Sequence, residues 1–183
     1  MFKDLFIKSS YQKMLSFLSL NAGKSFHERE LVRKIGIGAG SANRVLNHLF
    51  KVSVIKRERR GNMNFYSLDE EKPAIKQFKV LNMILRLDPL IEKLKALTKT
   101  IVLYGSSSQG TDDYESDIDL FIVTSREEKV MEVVDEFNFS REIKLTLKTP
   151  SGWLELESKD PTFYNEVTRG IVLWEKPIDE SKL

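Results

Sequence analysis

The chain has 183 residues, 41% apolar and 31% charged, a mix that can bury a core and excludes a chain disordered throughout. It has no cysteine and two histidines, His27 and His48, which excludes disulfide scaffolds, thiol catalysis and zinc sites built on Cys or clustered His. The net charge of +2 conceals a division: residues 1–80 carry a net +9 and residues 81–183 a net −7, so a basic half suited to a polyanion precedes an acidic half able to gather cations.

Residues Tyr11, Met14, Leu15 and Leu18 recur at helical spacing over 10–22, and Asn21, Ala22 and Gly23 end that helix. A second short helix is predicted over 27–35, with Leu31, Val32 and Ile35 on one face. Its capping-box candidate is Ser25, three before Glu28, and His27 stands at its start. The GIGAG at 36–40 reads as a turn. A third helix over 41–51 buries the stripe Ala42, Val45, Leu46, Leu49 and Phe50, leaving Asn43, Arg44, Asn47, His48 and Lys51 outside. Residues 52–57 and 64–68 read as two strands joined by a charged turn. An apolar helical segment follows over 74–87. Asp88 and Pro89 interrupt it, and 90–98 resumes as a short helix.

Residues 100–104 and 117–123 are short buried-strand patterns separated by a loop over 105–116. A helix is predicted over 126–137, and 142–148 alternates strictly, a strand with one polar face. Residues 151–158 carry no decisive pattern. A helix over 161–168 closed by Gly170 and a strand over 171–174 are predicted last. No run reaches the roughly 18 apolar residues of a membrane span, and MFKDLFIKSS has no secretory pattern, so a cytoplasmic protein with no membrane partner is expected.

In the basic half, three helices followed by a hairpin resemble a winged helix-turn-helix. That resemblance implies a double-stranded DNA partner, with the third helix in the major groove. Ser41, Asn43, Arg44 and Asn47 are the candidate contacts there, since Asn bonds adenine bidentately and Arg bonds guanine. Lys56, Arg57, Arg59 and Arg60 stand at the expected hairpin tip, suited to phosphates or a minor groove. A polar face opposite an apolar stripe also describes any solvated surface helix, and the charge excess is what favours DNA.

In the acidic half the informative stretch is GSSSQGTDDYESDIDL, residues 105–120. A glycine lets backbone approach a ligand closely, and a serine hydroxyl beside free N–H groups can hold phosphate oxygens. Asp117 and Asp119 are i and i+2 on a strand and share a face, while Ile118 and Leu120 point to the core. Adjacent carboxylates repel unless a cation lies between them, and oxygen-only ligands favour Mg²⁺ shared with substrate phosphates. Asp112, Asp113 and Glu115 read as loop solvation.

Strand, Gly-Ser, loop, Asp-x-Asp, strand is similar to the DNA polymerase β-type nucleotidyltransferase superfamily, in particular its minimal branch. Gly105, Ser106, Gly110, Ser116, Asp117 and Asp119 match its motif, and the likeness runs from about residue 99 to 174. The resemblance implies an NTP substrate held at Gly105, Ser106, Gly110 and Ser116, with Mg²⁺, as one ion or two, on Asp117 and Asp119. Two positions depart from the pattern. Gln109 replaces a residue that is often basic, and Lys144 stands where a third carboxylate is expected. Glu142, two residues earlier on the same face, is the substitute candidate, with Glu155 and Glu157 as further alternatives.

The expected fold class is α+β: a winged helix over 1–72, a helical linker over 73–98, and a nucleotidyltransferase fold over 99–183 with a mixed sheet flanked by helices. The apolar face of the linker either pairs with a second copy, giving a homodimer, or packs on the two domains. Two functions follow. One is a DNA-binding protein that transfers a nucleotidyl group from an NTP to a hydroxyl acceptor. The other is a transcriptional regulator whose nucleotidyltransferase-like domain is weak or inactive and senses a nucleotide or mediates assembly.

Overall fold

A computed structural model describes residues 9–177. It is a mixed α+β structure of two compact units. One runs to Leu85 and takes in Gly110–Glu115; the other holds Arg86–Gln109 and the chain from Ser116 onward.

The first unit begins with α1 (Ser10–Leu20), whose N-terminus is closed by a capping box between Ser9 and Gln12. A short strand β1 (Phe26–His27) leads into α2 (Glu28–Ile35). His27 rather than Ser25 caps α2: the Arg29 backbone N–H donates to its Nδ1 at 3.2 Å, and pairing of β1 with β3 fixes His27 at the helix entrance. Helix α3 (Ala39–Lys51) starts inside the GIGAG stretch, because Gly38 is extended and serves as its N-cap. Ala42, Val45, Leu46 and Leu49 are buried as expected, but Phe50 is 37% exposed and lies under the Arg57 guanidinium, 4.1 Å from its ring centre.

Strands β2 (Ile55–Arg60) and β3 (Met63–Leu68) form the hairpin, and β1 joins them in the order β1-β3-β2. Helix, strand, helix, helix, hairpin is the winged-helix arrangement. The turn is Gly61 and Asn62, so Arg59 and Arg60 lie on the strand and Lys56 lies at the far end of β2, not at the tip. From Lys56 to Arg60 every residue of β2 is exposed, which leaves the wing's cations in solvent.

Helix α4 (Pro73–Leu94) runs through Asp88 and Pro89 without interruption. A proline inside a helix costs about 3 kcal/mol. Leu87, Leu90, Ile91 and Leu94 around it are buried, each burial being worth about 1.5–3 kcal/mol, so packing outweighs the breaker. Ile75, Val80, Met83 and Leu85 are buried as well, while Phe78 and Ile84 are half-buried and Ala74 and Leu81 are exposed. The buried face also carries polar groups. Asn82 accepts from the Ser16 hydroxyl at 2.7 Å and donates to Ser19 Oγ at 2.8 Å. The Lys79 ammonium is 3.0 Å from Glu70 Oε2 and 3.6 Å from Asp112 Oδ1, and it donates to the Asp112 carbonyl. Asp112 is therefore a buried ion-pair partner rather than a solvated loop residue. Beside it Gly110, at φ +68°, packs so closely on α4 that a Cβ would overlap the Lys76 carbonyl.

The second unit holds β4 (Thr98–Tyr104), α5 (Gly105–Gln109), β5 (Ile118–Thr124), α6 (Glu127–Asp135), β6 (Ile143–Lys148), α7 (Pro150–Lys159), α8 (Pro161–Thr168) and β7 (Ile171–Glu175). Its sheet has the order β6-β5-β4-β7 and is mixed: β5 and β6 are parallel, and the other pairs are antiparallel. A parallel pair needs a crossover, which α6 supplies. Residues 151–158, indecisive in sequence, are α7; Pro150 sits in its first turn, and Thr149 caps it by accepting from the Gly152 N–H. Leu156 of α7 and Val167 of α8 cover the face of Val102, Tyr104, Phe121 and Val123, with Trp153 and Phe163 beside them. Ile118, Leu120 and Ile122 on the opposite face of β5 are fully buried too. No helix among the described residues is long and apolar enough to cross a membrane.

Replacing Lys79 with Met removes the cation and leaves Asp112 charged in a site where it is 4% exposed. Breaking one side of a buried pair costs about 3–5 kcal/mol, so the urea midpoint of Lys79→Met falls accordingly, whereas Lys34→Met, at an exposed pair, shifts it by less than about 1 kcal/mol.

Candidate functional site

Strand β4 delivers the chain to Gly105, which has φ +65°. A Cβ there would lie 2.5 Å from Asp119 Oδ2, so position and conformation both demand glycine. The chain then winds into α5, a single turn where a loop was expected, and the Ser108 hydroxyl donates to the Gly105 carbonyl at 2.7 Å. Ser107 is buried. Its hydroxyl donates to the Asp117 carbonyl at 3.4 Å and accepts from Arg141 Nη2 at 3.1 Å. The Gly-Ser turn is thereby tied to the start of β5. Ser106 and Ser116 are half-buried in this unit, while Gly110 belongs to the first unit.

Asp117 stands one residue before β5, and Asp119 within it faces Tyr104 across the antiparallel pair. Both are half-buried. Burial pushes the Asp119 carboxyl up; Lys144 pulls it back down, and the neighbouring Asp117 adds to the rise. The parallel register sets Lys144 of β6 beside Asp119. From there its ammonium reaches Asp117 Oδ2 at 2.5 Å. The hydrogen bond to Asp117 is the main cause that raises the Lys144 ammonium above its ordinary range, and Glu142 and Asp119 reinforce it. Glu142 precedes β6, is exposed, and accepts from the Ile118 N–H through its backbone carbonyl at 2.9 Å. Nearby, the Tyr104 hydroxyl pairs with Thr146 Oγ1 at 3.1 Å.

Two carboxylates with substrate oxygens are ligands for a hard divalent ion, and a two-metal arrangement needs a further carboxylate. Where the resemblance implies a third carboxylate, β6 presents the Lys144 ammonium, already bonded to Asp117. Among the described residues no three of Asp, Glu, His and Cys converge on a point that could hold an ion. Glu155 is paired with Lys159 at 2.6 Å, and Glu157 is exposed on α7. These residues do not fit a two-metal centre.

Arg141 was missed in the sequence. It lies outside every periodic element, and nothing local announces that its guanidinium reaches Ser107. It brings a cation to the turn, where Gln109 offers none.

On the first unit, Asn43, Arg44, Asn47, His48 and Lys51 are exposed on α3 as expected, and Ser41 is half-buried at its start. Asn47 donates to Asn43 Oδ1 at 3.0 Å, and Asn43 donates to Glu28 Oε2 at 3.3 Å, so the two amides are oriented together. On the wing, Arg60 is paired with Glu58 at 2.7 Å, Arg59 Nε donates to the Gly61 carbonyl, and Lys56 pairs with Asp69 at 3.2 Å.

Residues 88–179 match the family described as polymerase beta, nucleotidyltransferase. A comparison with curated proteins finds no match. Solved structures with partial likeness include a predicted DNA-binding transcriptional regulator from E. coli. It has 17% identity and a TM-score of 0.33, over 48% of this chain and 82% of that one. Sso10a-2, a DNA-binding protein from Sulfolobus solfataricus, has 16% identity and a TM-score of 0.34, over 49% and 95%. TrmBL2, an archaeal chromatin protein, has 15% identity and a TM-score of 0.26, over 87% and 70%.

Burial raises the folded-state pKa of Asp119, so its ionised form weakens the fold at pH values above that pKa, and the effect vanishes once both states are protonated. Asp119→Asn therefore raises the urea midpoint at pH 7. The gain stays below about 1 kcal/mol because solvent screens this partly exposed group, and it disappears as the pH falls below the ordinary carboxylate range. A pH series of urea melts checks both the sign and the window.

Proposed function

Because residues 88–179 place this chain in the polymerase β nucleotidyltransferase family, we propose that it is a double-stranded DNA-binding regulator whose nucleotidyltransferase domain takes a nucleoside triphosphate and transfers poorly. One observation carries this reading. The Gly105 turn packs directly on Asp119, where phosphates and a carboxylate pair would meet, while Lys144 stands on β6 where the acid for transfer is expected.

Transfer requires the acceptor hydroxyl oxygen to bond to the α-phosphorus while the bond to the bridging oxygen breaks and pyrophosphate leaves. The hydroxyl proton must go to a base. Glu142 stands two residues before Lys144 and is exposed, so water competes with it for the hydroxyl proton. The Gly105 and Ser106 turn would hold phosphate oxygens through backbone N–H groups and the Ser106 hydroxyl, and the Arg141 guanidinium adds positive charge to that turn. A nucleotide-responsive regulator follows from binding that outlasts chemistry.

The DNA partner is supported by the net +9 of residues 1–80, the solvent-facing amides of α3 and the cations of the wing. Since Glu58 already neutralises Arg60, Arg57 and Arg59 carry the phosphate contacts of the wing. Arg57→Ala and Arg59→Ala each flatten the slope of log affinity against log salt by about one for any duplex, and Arg60→Ala changes it less. Asn47→Ala alters sequence preference with little change in slope, as fluorescence anisotropy on a duplex library reads out. Salt-insensitive binding by the full chain removes the DNA reading.

Pyrophosphate release from NTP by the full chain is slow, and Glu142→Gln reduces it further while calorimetric NTP affinity stays within about threefold, because Glu142 acts on the proton and not on phosphate. Rapid release that survives Glu142→Gln contradicts this assignment.

A further inference from the structure

The lysine that the strand register sets against the carboxylates makes a statement about cations. Asp117, Asp119 and Glu142 all act electrostatically on Lys144, and its Nζ lies 2.5 Å from Asp117 Oδ2. Two half-buried carboxylates side by side need a positive charge between them. That charge is already part of the chain. The register makes it a property of the fold: Ile118 pairs with Ile143, Asp119 with Lys144 and Leu120 with Leu145, so Lys144 cannot leave this face unless β6 slips by a residue. The side chain is 58% exposed, so its stem spans the strand edge while the ammonium sits on the acid.

We infer that Lys144 is the resident cation of this site: its ammonium occupies Asp117, one of the two carboxylates that would hold a divalent ion, and the native chain meets its anionic ligand without such an ion. The inference deepens the nucleotide-binding reading above and rests on it for the identity of the ligand. A divalent ion competing for Asp117 must displace a covalently tethered ammonium whose effective concentration does not fall on dilution. It also gains one carboxylate fewer than a three-acid site offers. A triphosphate, in turn, meets two cations, Lys144 and Arg141, and the neutral donors of the Gly105 and Ser106 turn.

The test uses the full chain and begins with Mn²⁺ alone, followed by the loss of its free-ion electron paramagnetic signal. The wild type and Lys144→Arg, which keeps the charge, take up no Mn²⁺ at this site. Lys144→Ala gains one Mn²⁺ per chain, and Asp117→Asn in that background abolishes it. Because Lys144 is exposed, these variants keep the fold, which circular dichroism verifies. Wild-type uptake of Mn²⁺ that depends on Asp117 and equals that of Lys144→Ala overturns the inference.

A second arm uses ATP in EDTA and in excess Mg²⁺. Wild-type affinity differs by less than about threefold between the two, whereas Lys144→Ala loses about tenfold in EDTA and regains it with Mg²⁺. ATP binding by wild type that vanishes in EDTA overturns the inference and leaves the nucleotide reading standing. Failure to bind ATP in either condition removes the nucleotide reading, and the Mn²⁺ arm then decides the role of Lys144 separately.

Discussion

The parallel register of β5 with β6 governs the acidic unit. Strand β5 is buried on both faces, with Ile118, Leu120, Phe121 and Ile122 fully enclosed, so a slip of one residue would turn the core outward. A register locked by so much apolar surface also fixes what stands beside each polar residue. Asp119 therefore has Lys144 as its neighbour, and Asp117 receives the ammonium. The same packing that secures the fold thus decides the electrostatics of the site.

The Gly-Ser turn depends on that arrangement as well. Gly105 can lie against Asp119 because it has no side chain, and Ser107 bonds the Asp117 carbonyl, so turn and carboxylates form one local structure. Aromatic packing backs it: Phe163 meets the Tyr104 ring edge-on at 5.7 Å, and Phe121 lies 5.0 Å from Trp153. Turn, carboxylates and aromatic cluster are thus packed on the same pair of strands, β4 and β5.

In the basic unit the polar residues inside the structure matter as much as those outside. Lys79, Glu70 and Asp112 form a buried charge cluster, and Ser16, Ser19 and Asn82 a buried hydrogen-bond network. Groups of this kind are costly if half-made, so they favour a single packing of α4 against α1. The outer surface meanwhile keeps its cations in solvent, with Phe50 supporting Arg57 and Phe65 lying 4.8 Å from the Arg60 guanidinium.

Local pattern alone determined much of this protein. The stripe of α3, the alternation of β6, the short apolar strands and the Gly-Ser and Asp-x-Asp spacing are all periodic or motif signals, and each follows from sequence separation. The α+β class followed from them. Signals that depend on distant partners were not there to read. Pro89 looked like an interruption until Leu87, Leu90 and Leu94 were seen to be buried around it. Asp112 looked solvated until Lys79, 33 residues away, proved to be its partner. His27 displaced Ser25 as a cap because β3 holds it in place. That Lys144 stands where the family resemblance implies an acid was legible in the sequence; that its ammonium is bonded to Asp117 was decided by strand pairing. Tertiary structure settled these points because a side chain's charge environment depends on which strands and helices meet, and no residue encodes its distant neighbours.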